Sequence, residues 1–143
     1  GDLKPSTIRV RPDGQVTLTD FGLVHPADRE FLAPGPESPG GLPYTAPELA
    51  VDPTAEPDAR SDLFSLGAVL YELATLEPPF GGDSVPEVLR DLQGRDPVDP
   101  GRLNPLVSPR LAAIVLHALE KDPAHRYPRA WELAEDLEWL LSR

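Results

Sequence analysis

Residues 1–22 read GDLKPSTIRVRPDGQVTLTDFG. Asp2 and Lys4 stand two positions apart at the start of this stretch, and Asp20, Phe21 and Gly22 close it. Between them Ile8 and Val10, then Val16 and Leu18, alternate with polar neighbours on either side of RPDG. That period of two predicts a pair of short strands, and Pro12 and Gly14 suit the tight turn joining them. A small hairpin is therefore expected between two acidic positions. From Phe31 to Gly41 the composition shifts to Pro, Gly, Glu and Ser without periodicity, which predicts a loop of the kind that carries function.

Helices follow. In SDLFSLGAVLYELATL, Leu63, Leu66, Val69, Leu70 and Leu73 recur at helical spacing, while Phe64, Ala68 and Tyr71 fill other faces. A helix apolar nearly all round is expected at the centre of a fold. SVPEVLRDL offers Ser84 and Glu87 as a capping box, with Val85, Val88, Leu89 and Leu92 as an apolar stripe. SPRLAAIVLHALEKDP opens with Ser108 as N-cap and Pro109 at the first helical position, and Pro123 is expected to stop it. The last helix, AWELAEDLEWLL, places Leu133, Leu137 and Leu140 on one side, its acidic residues forming the wet face. Trp131 and Trp139 are expected as core and helix-packing aromatics. His25, His117 and His125 show no metal-ligand spacing.

Composition limits the function. A chain of 143 residues suits one compact domain. A formal net charge of -11, with lysine only at Lys4 and Lys121, argues against nucleic-acid or membrane-surface binding, because both need clustered cations. No cysteine is present, so neither disulfides nor thiolate metal sites arise. No apolar run approaches the roughly 18 residues of a membrane span. The chain also lacks methionine, which leads to the expectation that it is a piece of a longer protein.

The ordered set DLKPST, DFG and APE, followed by SDLFSLGAVLYELATLEPPF and KDPAHRY, resembles the C-terminal lobe of a eukaryotic-type (Hanks-type) serine/threonine protein kinase over essentially the whole chain. Any one triplet is weak; their order is specific. The arginine-rich, lysine-poor composition and the ALEKDPAHRYPRAWELAEDLEWLL ending resemble bacterial members. The resemblance implies a mostly helical lobe with one small β-hairpin, divided into a catalytic loop at 1–8, a DFG and activation segment at 20–48, and a helical body at 58–143. The Gly-rich loop and strand lysine of the N-terminal lobe are expected to lie outside these residues, as a partner lobe of the same parent chain.

Phosphoryl transfer to a hydroxyl needs a group that takes the substrate proton, and charge that neutralises the moving phosphoryl. By resemblance Asp2 supplies the first, Lys4 binds the phosphate and assists catalysis, and Asp20 holds magnesium and the nucleotide. Phe21 and Gly22 would pack and turn the backbone around Asp20. Glu48 would pair with Arg126, and Asp62 would hold the catalytic-loop backbone. The implied cofactors are ATP and Mg2+, the implied substrate a protein Ser or Thr hydroxyl, and the implied location cytoplasmic.

Three positions depart from the family pattern. Gly1 stands where many members have Arg, Thr7 where they have the Asn that holds a second magnesium, and Gly41 where a Thr contacts the catalytic Asp and Lys, with Thr45 four places later. Thr7 is expected to serve as metal and nucleotide ligand in place of that Asn. These departures give an alternative reading, a pseudokinase acting as scaffold or allosteric binding module.

Overall fold

Two short strands, β1 (Ile8–Val10) and β2 (Val16–Leu18), pair antiparallel with Ile8 opposite Leu18 and Val10 opposite Val16. The turn between them closes through Gly14, whose φ of +85° lies where an L side chain is strained, and through Gln15 N–H donating to the Asp13 carboxylate. The computed structural model describes residues 3–19, 41–52 and 54–142. The expected strands are present, but Val10, Val16 and Leu18 are all exposed, so this hairpin has no buried face among the described residues.

The remainder is helical: α1 (Pro47–Val51), α2 (Ala59–Thr75), α3 (Val85–Gly94), α4 (Pro100–Leu103), α5 (Pro109–Ala118) and α6 (Ala130–Leu141). Helix α2 starts earlier than its apolar pattern. Its N-cap is Asp58, whose carboxylate accepts from the Arg60 and Ser61 amides while the Ser61 hydroxyl accepts from Asp58 N–H. Burial opposes ionisation of Asp58, yet these amide bonds and the Arg60 guanidinium hold its carboxyl below the usual range.

Because α2 is apolar on most faces, it buries two of them. Phe64, Ala68 and Tyr71 join Phe80, Val88, Leu92, Val115 and Leu119 in the larger core, where the Phe64 and Phe80 rings stack at 5.9 Å. Leu63 faces a second cluster made by Ile114, Ala118, Tyr127 and Leu133. At Gly67 a Cβ would sit 2.8 Å from that of Ala118, so the absence of a side chain sets how closely α2 and α5 approach. Tyr71 donates to Val98 O at 2.8 Å and Asn104 to Ala74 O at 2.8 Å, tying the segments on either side of α4 to the C-terminal part of α2.

Several ends differ from expectation. Ser84 caps α3 as predicted, but Glu87 accepts from Asp83 N–H rather than from the cap residue itself. Helix α5 ends at Ala118, before Pro123, which instead begins a separate 3-10 turn, Pro123–His125, capped by Asp122. Trp131 and Trp139 are exposed instead of buried. Trp139 packs under the Arg110 guanidinium at 3.5 Å from its ring. His117 lies on α5 against the Tyr127 ring. Leu76, just past α2, holds φ 64° and ψ 12°, a left-handed conformation costing a leucine roughly 1–2 kcal/mol.

Candidate active site

Lys4 and the residues after it form one tight 3-10 turn, Pro5–Thr7. Pro5 presets the first turn position, and the Thr7 amide donates to Lys4 O at 3.0 Å. The Thr7 side chain is buried and doubles the closure: its hydroxyl donates to Lys4 O at 2.9 Å and accepts from Lys4 N–H at 3.2 Å. Thr19, at the far end of the hairpin, donates to Thr7 O through its amide at 2.8 Å and its hydroxyl at 3.2 Å. The hairpin is thus anchored onto the loop through Thr19 and Thr7.

A second wall comes from the 3-10 turn Leu42–Tyr44. Tyr44 OH donates to a Glu72 carboxylate oxygen at 2.7 Å, joining this turn to α2. Burial, reinforced by the bond to Glu72, pushes the Tyr44 phenol well above its ordinary value, so it remains a neutral donor. Thr45 donates to Gly41 O at 3.2 Å, closing the turn from the other side. Between the two walls lies a cleft of about 630 Å³. Lys4, Pro5 and Ser6 line one side, Gly41 and Tyr44 another, and Glu72, Leu73 and Leu76 from the end of α2 complete it.

Away from the cleft lining, the chain is held by Arg126. Its guanidinium is fully buried and meets both Glu48 carboxylate oxygens at 2.8 Å, the bidentate fork that arginine makes best. The same group donates to Arg60 O, Glu120 O and Lys121 O and lies 4.9 Å over the Phe64 ring. Helix α1, which has no side-chain N-cap, is therefore fastened through Glu48 to the α5–α6 connection and to α2.

Of the residues singled out from the sequence, the structure brings Lys4 and Thr7 into one loop and Glu48 and Arg126 into one ion pair. Asp62 lies exposed on the first turn of α2, while Asp58 takes the cap. Asp2, Asp20, Phe21 and Gly22, with Gly1 and His25, lie outside the described residues. Among the described residues no cluster of three or more His, Asp or Glu is placed to hold a metal ion. No described helix is long and apolar enough to cross a membrane. Sequence reasoning passed over the Tyr44–Glu72 bond; its one signal was Glu72 itself, the sole carboxylate inside the apolar run of α2.

A catalytic-type loop anchored by a hairpin, a cleft beside it and a Glu–Arg fork with its guanidinium buried accompany the ordered motifs, and the protein kinase domain family matches residues 1–137. The chain belongs to that family. It is 38% identical over 142 residues to a probable serine/threonine-protein kinase of Streptomyces coelicolor, covering 98% of this chain and 21% of that protein. It is 42% identical over 138 residues to the serine/threonine-protein kinase PknB of Mycolicibacterium smegmatis, covering 95% and 22% respectively. A probable serine/threonine-protein kinase of Clostridium perfringens is 38% identical over 138 residues, covering 96% and 20%. The chain thus spans about a fifth of the length of these relatives.

Proposed function

We propose that this chain is the catalytic-loop lobe of a serine/threonine kinase, whose complete protein transfers the γ-phosphoryl group of ATP to Ser or Thr hydroxyls. The observation that carries the reading is the Lys4–Thr7 turn, locked by five hydrogen bonds and opening onto a cleft large enough for a peptide segment. In this reading Asp2 accepts the proton of the attacking hydroxyl. That oxygen bonds to the γ-phosphorus as the bond to the bridging oxygen breaks, and ADP leaves. Lys4 stabilises the equatorial charge that develops on the way.

Magnesium prefers hard oxygen donors and few protein ligands, and the donors here suit it: the Asp20 carboxylate, with the Thr7 hydroxyl. That hydroxyl also accepts from Lys4 N–H. The ion would neutralise phosphate charge when bound. The division into a catalytic loop at 1–8, an activation segment at 20–48 with Phe21 and Gly22 supporting Asp20, and a helical body at 58–143 belongs to the same proposal, as does Asp62 as support for the loop backbone. The lobe carrying the Gly-rich phosphate loop would supply the other half of the nucleotide site.

Assays of the full-length protein with radiolabelled ATP and Ser- or Thr-containing peptides test this. Asp2→Asn should abolish transfer while nucleotide binding survives; transfer at the wild-type rate would refute the assignment. The 143-residue chain alone should transfer no phosphate. One observation favours a second reading, a pseudokinase scaffold: the Thr7 hydroxyl is folded back onto the Lys4 backbone on both its donor and acceptor sides. A wild-type full-length protein with no transfer, unrescued by Thr7→Asn, would establish that reading instead.

A further inference from the structure

We propose that Lys121 is a modification site: its side-chain amine, held over the Phe80 ring without a carboxylate partner, takes the acetyl group of an activated acyl donor, an acyl phosphate or an acyl thioester. The transfer reading makes no use of this residue, which lies just past α5 and away from the cleft lining. The backbone that carries it is pinned, because the buried Arg126 guanidinium donates to Lys121 O at 3.0 Å. The side chain is half-buried rather than sealed, so a small donor reaches it from solvent.

An ammonium carries three donors. Here Nζ reaches one acceptor, Asp91 O, at a long 3.5 Å, and its other neighbour is the Phe80 ring, 3.8 Å away at the centroid. Among the described residues Lys121 makes no salt bridge. The Asp91 carboxylate is committed elsewhere, taking Nε and Nη2 of Arg95 and the Gly81 amide. Four charged groups face the amine: Asp91 on α3, Arg95 at its end, Asp96 beyond it and Arg126 across the α5–α6 connection. The two acids favour the ammonium and the two guanidinia oppose it. Burial is the largest influence and pulls the group down to about 8. The Phe80 face attracts the charge but offers no acceptor for the hydrogen bonds that water made.

The product suits this setting better than the ammonium does. The neutral amine attacks the donor's carbonyl carbon, and the C–N bond forms as the C–O bond to phosphate, or the C–S bond to the thiol, breaks. The nitrogen's proton passes to water. The resulting amide keeps an N–H for Asp91 O and leaves no unpaired cation against Phe80.

Full-length protein incubated with acetyl phosphate, and in a second arm with acetyl-CoA, from pH 7 to 10, tests this by mass spectrometry of the peptide that holds Lys121. The reference is a synthetic peptide, LEKDPAHR, with blocked ends. At pH 7.5 a group of pKa about 8 is roughly a quarter amine, against about a thousandth for an ordinary lysine. Weaker basicity lowers nucleophilicity and gives back part of that gain, as it does for thiols, leaving an expected advantage of about threefold or more over the peptide. The rate in the folded protein should level off above pH 8 while that of the peptide keeps rising, and unfolding in urea should make the two profiles coincide. Reaction in one arm alone supports the site and names the donor class. Lys121 left unmodified, or acetylated no faster than the peptide at pH 7.5 in both arms, overturns the proposal, as does a profile that urea leaves unchanged.

Discussion

Arg126 brings together residues that are far apart in sequence, because one guanidinium supplies hydrogen bonds to Glu48, Arg60, Glu120 and Lys121. Arg126→Ala removes the charge and leaves Glu48 and three carbonyls without their donor. Removing one partner of a buried pair typically costs ~3–5 kcal/mol. Urea unfolding should show a loss of that order, with Arg126→Lys intermediate because an ammonium cannot make the fork. The Glu48→Ala, Arg126→Ala double variant should lose less than the two single losses summed.

Lys121 is a second residue with a readable consequence. Its ammonium lies 3.8 Å over the Phe80 ring, within reach of Asp91 O. Burial pulls its pKa down to about 8, against the opposing pull of Asp96 and Asp91. A folded-state pKa below the unfolded one means the unfolded chain binds more protons between the two values. Stability therefore rises with pH from about 8 toward the unfolded lysine value. The difference in unfolding free energy between wild type and Lys121→Met, followed from pH 7 to 10, should shift toward the wild type over that window. Tyr44 and Tyr127, both held above the ordinary phenol range by burial, are common to the two proteins and cancel.

At the scale of elements, α2 and α5 approach closely at Gly67. Alanine there gains helix propensity of up to ~1 kcal/mol but must fit a methyl 2.8 Å from Ala118 and 3.3 Å from Leu119. Overpacking typically costs ~1–3 kcal/mol, so Gly67→Ala should lower the urea midpoint, and adding Ala118→Gly should recover part of the loss. Helix existence was legible from apolar spacing in α2, α3, α5 and α6, since burial enforces that spacing. Helix ends were less legible. Asp58, outside the apolar pattern, caps α2 because its carboxylate reaches the Arg60 and Ser61 amides from a β-region backbone. Pro123 looked like a stop, but α5 had already ended at Ala118 and the proline opened a new turn.

Across the whole molecule, the family was legible because its motifs occur in order, each tied to a chemical need. The cleft was not, because its walls come from stretches far apart in sequence, around Lys4, Tyr44 and Glu72, and no spacing marks their meeting. Leu73 belonged to a periodic apolar set and read as core, yet it lines the cleft near the C-terminal end of α2 and is exposed. Trp131 and Trp139 read as packing aromatics, yet both are exposed, Trp139 meeting the Arg110 guanidinium of α5. If Thr7 limits coordination, Thr7→Asn in the full-length protein should lower the magnesium concentration needed for half-maximal transfer. The same titration with Asp20→Asn should raise that concentration or abolish transfer.

The hold of Arg126 on α1 also orders how the native state opens. Helix α1 is five residues long and uncapped by any side chain, too short to persist by its own hydrogen bonds. Its amides should exchange with deuterium only when the Glu48 fork releases. With the fork intact, α1 shares the protection of the much longer α2. In Arg126→Ala the two should part, α1 exchanging through a local opening while the centre of α2 still waits for global unfolding.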